Sequence, residues 1–189
     1  MKFLLLRHGS TVEAEHDIIL GSLPGTLSSA GKEHIALIAS RLSRLFPLPV
    51  GIISSDLARA RESAIILSSA LRIPFALCDL VRERSAGAAE GLPTSQIDWT
   101  VYKQQPLEHR RHVGGESFLD VAARATVFLS SIDTSTDSTL ILVSHHVFIA
   151  MLLSVVLDWS IESALAYDFS QSLTILDTNK KHVSCIASP

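Results

Sequence analysis

The sequence predicts a single α/β domain of three layers, with a mainly parallel central sheet flanked by helices. Three observations lead there. Short, continuously apolar runs such as Phe3–Leu6 and Leu140–Val143 read as strands buried on both faces, as parallel strands are. Stretches with apolar residues at three- and four-residue spacing lie between such runs. The two patterns alternate, which is how helices come to cover a sheet from both sides.

The elements follow in order. Lys2–Leu6 is the first expected strand, and Ile35, Ile38, Leu42 and Leu45 mark the first helix. Val50–Ile53 is the second strand; Leu57, Ala60, Ala64, Leu67 and Leu71 give the second helix; Phe75–Cys78 is the third strand. Phe118, Val121, Ala125 and Phe128 form the next helical stripe, opened by Ser117 and Asp120 at capping-box spacing. Thr139–Val143 is a fourth strand, with a buried helix at Val147–Leu157 behind it. Ser172–Asp177 and His182–Ala187 flank Thr178-Asn179-Lys180-Lys181, a hairpin turn. The stretch Glu83–Gly115 breaks the alternation with Gly, Pro, charge and aromatics. It is expected to arch over the sheet's carboxyl edge as an active-site excursion.

Composition narrows the function. At 189 residues, 47% apolar and 19% charged, the chain suits one domain, residues 1–189, with a substantial core. A net charge of −3 without a Lys/Arg block argues against a nucleic-acid partner. The apolar run Leu140–Trp159 contains Ser144, His145, His146 and Asp158, so a strand followed by a buried helix explains it better than a membrane span. Met1–Leu6 is too short an apolar start for a secretory signal, and Cys78 and Cys185 read as reduced thiols. The expected setting is cytoplasmic.

The chemistry sits at four stations. The first, Arg7-His8-Gly9-Ser10-Thr11, ends the first strand with a guanidinium and an imidazole where α/β enzymes place their ligands. Imidazole is a nucleophile near neutral pH, and guanidinium forks match phosphate oxygens. The second, Ser54–Ala60, ends another strand. Asp56 is expected to cap the following helix and Arg59 to sit in its first turn, an anion site. The third, Arg82–Gly91, supplies the carboxylates Glu83 and Glu90. The fourth, Leu142-Val143-Ser144-His145-His146, is a second strand ending in histidine. Each station alone has a bland reading as surface charge or core packing. Two histidines and two arginines at strand ends make coincidence a poor account.

In that order the stations resemble the histidine phosphatase superfamily, which holds cofactor-dependent phosphoglycerate mutases, fructose-2,6-bisphosphatase domains and α-ribazole phosphatases. The resemblance runs from Lys2 to about Ser154 and includes Gly114-Gly115-Glu116-Ser117. It implies a phosphoglycerate mutase-like fold, with His8 as the nucleophile that becomes phosphorylated. It further implies Arg7, Arg59 and His145 around the transferred phosphoryl group, and Glu83 as general acid and then base. Ser10, Thr11 and His146 join Arg7, Arg59 and His145 as expected substrate-binding residues. No metal or other cofactor is implied, and no metal-ligand spacing is present. Phosphoryl transfer needs mainly in-line positioning and charge neutralisation, which this set supplies, with a protonated His145 adding charge.

The chain departs from the family pattern in several places. Ala14 stands where the family has Asn, Ser10 where Glu or Gln is common, and His146 where Gly follows the second histidine. The leading expectation is a phosphomonoesterase acting on a small phosphorylated metabolite, as α-ribazole and broad-specificity phosphatases do. The alternatives are a phosphoglycerate-type mutase and an inactive phosphate-ligand or protein-binding module. Arg82, Arg84, Arg110, Arg111 and His112 either line the mouth or are solvated charges; Trp99 and Tyr102 either stack on a substrate ring or pack the excursion down. The apolar Phe148–Leu157 segment is either core or the face of a homodimer.

Overall fold

β1 (Lys2–Arg7) is apolar throughout because both of its faces are covered. Phe3 and Leu5 join one core cluster with Phe128, Leu142 and Phe148. Leu4 and Leu6 turn to the other, with Ile35, Leu42, Leu67 and Ile141. The period-two alternation of a strand thus feeds two separate cores. The computed structural model describes residues 1–44, 48–133, 135–168 and 173–186, and the side chains of 173, 185 and 186 are outside that description. Leu45, Ser172 and Ala187, expected at element ends, fall outside the described residues, as does the Cys185 side chain.

Six strands form one sheet in the order β3-β2-β4-β1-β5-β6, with β2 at Gly51–Ser54, β3 at Phe75–Leu77, β4 at Thr139–Ser144, β5 at Leu173–Asp177 and β6 at His182–Ile186. β1 runs parallel to β4, and β2 parallel to β3 and β4. β5 is antiparallel to both β1 and β6. The sheet is therefore mostly parallel, and the antiparallel part is the expected hairpin. Its turn is held by Asp177, whose carboxylate accepts from the backbone N–H groups of Asn179 and Lys180. β3 departs from the doubly buried pattern: Phe75 and Leu77 are 38% and 47% exposed, because β3 is an edge strand with a partner on one side.

Helices α1 (Ser29–Leu42) and α2 (Ala58–Leu71) cover one face. In the excursion lie three single 3-10 turns between Gly87 and His109, and α3 (Trp99–Gln104). Helices α4 (Phe118–Ser130), α5 (His146–Leu157) and α6 (Ile161–Leu165) cover the other face. The expected capping box is present on α4, with Ser117 and Asp120 each capping the other's backbone. Phe148, Ile149, Leu152 and Leu153 of α5 are fully buried, which assigns that apolar face to the core. Each such side chain contributes about 1.5–3 kcal/mol through burial. Among the described residues no helix is long and apolar enough to cross a membrane.

One local expectation is corrected. Asp56 does not cap α2: the N-cap position is Leu57, without a side-chain bond. The Asp56 carboxylate is taken by Arg82, whose Nε donates over 2.7 Å and whose Nη2 also reaches it. A fork-to-carboxylate pair offers two charge-assisted bonds where a cap offers one.

Candidate active site

The site follows from strand order. Arg7 and Ser144 end β1 and β4 in register, so His8 and His145, one residue further on, emerge side by side. His8 N–H donates to the Ser144 carbonyl over 3.0 Å, and the two imidazole centroids are 5.0 Å apart. β2 neighbours β4, so Arg59 on the first turn of α2 joins them from the next carboxyl end.

The protonation of His8 can be read from its partners. Nδ1 lies 2.7 Å from the Gly9 carbonyl, which can only accept, so Nδ1 carries the proton. Nε2 lies 3.1 Å from Arg59 Nε, which can only donate, so Nε2 carries a lone pair. Burial, followed by the charges of Arg59 and Arg7, lowers the His8 pKa from 6.5 to about 3. A neutral imidazole with its Nε2 lone pair facing a guanidinium is a nucleophile held ready beside a phosphate binder.

Arg59 is 2% exposed, and the rest of its fork is held by the backbone. Nη2 donates to the Gly21 carbonyl over 2.8 Å, and Nη1 donates to the carbonyls of Leu23 and Pro24. Desolvation is the main influence lowering its pKa, with the carboxylate of Glu83 opposing it. Ser63, one helical turn later, donates to the Arg59 carbonyl and accepts from Gly9 N–H over 3.2 Å, tying α2 to the nucleophile's loop.

A cleft of about 890 Å³ opens over these groups, lined by Arg7, His8, Ser10, Thr11, Arg59 and Glu83. Glu83 enters from the start of the excursion. Its Oε1 accepts from Arg84 N–H over 2.8 Å, and Arg124 of α4 grips the backbone behind it through the carbonyls of Leu80, Arg82 and Glu83. The second wall is the segment between Thr11 and Leu27, pinned to the excursion by the Ile18–Pro93 bridge and the Ile19–Leu92 hydrogen bond. Thr11 is buried, with its hydroxyl accepting from Ala14 N–H, whereas Ser10 is exposed at the cleft.

His145 and His146 part company. His145 is fully buried as the N-cap residue of α5, and neither ring nitrogen has a hydrogen-bond partner among the described residues. Burial, then the proximity of His8, Arg59 and Arg7, pushes its pKa well below 6.5. The expected protonated His145 is thus corrected to a neutral ring, and the site's positive charge rests on Arg7 and Arg59. His146 begins α5, lines the cleft and is hydrogen-bonded to the Leu165 backbone. Its pKa is lowered by burial and by Arg7.

The sequence profile of the histidine phosphatase superfamily (branch 1) matches residues 3–187. The chain belongs to that superfamily.

Relatives of this superfamily member include the bifunctional protein Rv2228c of Mycobacterium tuberculosis, 31% identical over 166 residues, which are 83% of this chain and 44% of that protein. The chain thus spans less than half the length of the first curated relatives it matches. A glucosyl-3-phosphoglycerate phosphatase of Mycobacterium tuberculosis is 30% identical over 165 residues, 80% of this chain and 73% of the relative. The solved structure of mycobacterial glucosyl-3-phosphoglycerate phosphatase Rv2419c with VO3 superimposes with a TM-score of 0.82 at 26% identity, covering 99% of each chain.

In this superfamily member the basic residues of the excursion do not line the cleft. Arg82 pairs with Asp56, and Arg84 lies over Phe118 and donates to the carbonyls of Arg110 and Glu116. Arg110 donates to the Gln105 carbonyl, Arg111 pairs with Asp120, and His112 stacks on Tyr102 at 4.6 Å. Trp99 packs edge-on against Tyr102 and His112, so these rings fold the excursion on itself. Sequence reasoning missed Ser63, Arg124 and the far wall formed by Leu165, Ala166 and Tyr167. Ser63 carried a signal, its four-residue spacing from Arg59; the far wall carried none.

Proposed function

We propose that this chain is a metal-independent phosphomonoesterase that hydrolyses a small phosphate ester through a phosphohistidine on His8. The tautomer of His8 carries this reading: Nδ1 is bound to the Gly9 carbonyl, and Nε2 carries the lone pair, held by Arg59 Nε–H until an incoming phosphoryl oxygen takes that donor. Family membership and the phosphatase names of relatives support it.

Nε2 attacks phosphorus in line, the N–P bond forms, and the ester P–O bond breaks. Glu83 gives its proton to the departing oxygen. Arg7 and Arg59 neutralise the equatorial oxygens, and His145 offers a ring N–H to one of them. Water then attacks the phosphohistidine, Glu83 takes its proton, and inorganic phosphate leaves with His8 neutral again. Arginine forks that are fixed in place before reaction avoid reorganisation during it, which is where most of the acceleration of phosphoryl transfer arises.

The test is steady-state hydrolysis of p-nitrophenyl phosphate with EDTA present, by the wild type and His8→Ala. Loss of turnover in the variant, with an acid-labile phosphoryl group trapped on His8 of the quenched wild type, is the expected result. Turnover that persists in His8→Ala, or that EDTA abolishes, overturns it.

A further inference from the structure

Resting on the phosphatase reading, we infer that Arg124 and Glu116 are positioning residues. Together they clamp the backbone that carries Glu83 and so aim its carboxyl group at the leaving oxygen. Neither residue lines the cleft. The need for a clamp follows from what Glu83 lacks. Residues 82–86 belong to neither helix nor strand, so no ladder of backbone hydrogen bonds fixes them. Among the described residues the Glu83 carboxylate takes one hydrogen bond, from the N–H of the adjoining Arg84. Where that carboxyl group points is therefore set by the backbone beneath it.

The clamp is built from a guanidinium on a rigid mount. Arg124 stands on α4 between Val121 and Ala125, both fully buried, and lies over the Phe148 ring at 5.5 Å. Its Nη1 donates to the carbonyls of Leu80 and Arg82 over 2.7 and 2.8 Å, and its Nη2 donates to the Glu83 carbonyl over 3.4 Å. The other edge of the fork meets Glu116, with Nε donating to Oε1 over 3.1 Å and Nη2 to Oε2 over 2.9 Å. Glu116 then holds the far side of Glu83. Its Oε2 accepts from Ser85 N–H over 2.8 Å, and its own N–H donates to the Ser85 carbonyl over 3.0 Å. The two segments touch closely here: a Cβ at Gly115 would lie 2.8 Å from the Ser85 carbonyl oxygen. A guanidinium has five N–H donors, and protein acceptors take all of those of Arg124, so it has none to offer a phosphate. An ion pair that is partly buried adds little stability, because desolvation offsets the attraction. What this pair does supply is a fixed place for Glu83, and displacement of a reacting group by about 1 Å can cost a hundredfold in rate.

The experiment compares kcat/KM for phenyl phosphate and p-nitrophenyl phosphate, which share a ring and differ in how much their leaving oxygen needs a proton. The variants are Arg124→Met, Arg124→Lys and Glu116→Ala, together with Glu83→Gln alone and combined with Arg124→Met. Circular dichroism checks folding. Arg124→Met and Glu116→Ala are expected to lower the phenyl-to-nitrophenyl ratio by roughly tenfold, part of the hundred- to ten-thousandfold that a general acid supplies. Arg124→Lys, which keeps the charge and some donors, should fall between them and the wild type. Added to Glu83→Gln, Arg124→Met should leave the ratio where Glu83→Gln alone puts it, because the group being aimed is gone. A ratio that stays at the wild-type value overturns the inference and leaves the phosphatase reading intact. That is also the result of losing only the charge that Arg124 places near His145, which acts on both esters alike. A ratio that falls again in the double variant overturns it too. Where Arg124→Met does not hold its fold, the same ratio in Arg124→Lys decides. A wild type that releases no phosphate from either ester removes both readings.

Discussion

Arg59 Nε and His8 Nε2 face each other over 3.1 Å, a donor set against the lone pair that would attack phosphorus. Burial first, and then the same guanidinium, lowers the His8 pKa, and both residues line the cleft.

The first prediction concerns acid. His8 has its pKa lowered from 6.5 to about 3, so between those values the unfolded chain binds a proton that the folded chain does not. The contribution of His8 to stability is fully present above pH 6.5 and is lost as pH falls towards 3. Removing the group should flatten the acid limb of the stability profile. His8→Gln is expected to lower the slope of unfolding free energy against pH, between about pH 4 and 6, by up to about 1.4 kcal/mol per pH unit. Urea titrations at stepped pH measure it. Nitrogen chemical shifts of His8 that move near pH 6.5 in the wild type would refute the premise.

Arg59→Ala should damage both fold and chemistry. It strips a donor from the carbonyls of Gly21 and Leu23, while Pro24 keeps the backbone N–H of residue 59, and unpaired carbonyls cost about 1–3 kcal/mol each where water cannot replace the donor. Loss of one fixed charge-stabilising donor lowers kcat by roughly a hundred- to a thousandfold. Arg59→Lys should recover neither in full, since an ammonium cannot reproduce the fork. Thermal melts and p-nitrophenyl phosphate kinetics separate the two effects.

Glu83→Gln should show a leaving-group dependence. Alkyl phosphates need a proton on the departing oxygen, so their kcat is expected to fall by about a hundred- to ten-thousandfold. p-Nitrophenyl phosphate, whose leaving group is a stable anion, should suffer much less in the phosphorylation step. Equal losses on both would argue against Glu83 as the acid.

Gly31→Ala pits propensity against space. Alanine in a helix interior gains about 1 kcal/mol over glycine. At Gly31, however, a Cβ would lie 2.2 Å from the Ser10 carbonyl oxygen, and the facing Gly9 has its own Cβ position 2.7 Å from the Gly31 carbonyl oxygen. Backbone cannot yield cheaply, so the overlap wins and the His8–Ser10 loop must shift. The expected result is a lower melting temperature together with lower kcat; a stabilised, fully active variant would contradict it.

Much was legible in the chain because periodicity and strand ends are local. The two apolar faces of β1, the capping box at Ser117 and Asp120, the Asp177–His182 hairpin and the position of α5 all follow from side-chain spacing and turn chemistry within a few residues. His8, Arg59 and His145 could be singled out because each lies just past an apolar strand. Partner choice between distant side chains was not legible. Asp56 had a local cap available and took Arg82 instead, 26 residues away, and the excursion arginines went to carbonyls and carboxylates of their own neighbourhood. The sequence by itself determined the secondary elements, the layer architecture and the residue types of the site. Only the tertiary structure decided the strand order that sets His8 beside His145, the tautomer of His8, the burial that lowers the pKa of both rings, and the wall against which His146 rests. The reason is physical: periodicity is written along one segment, whereas burial, hydrogen-bond partners and electric fields arise where segments meet.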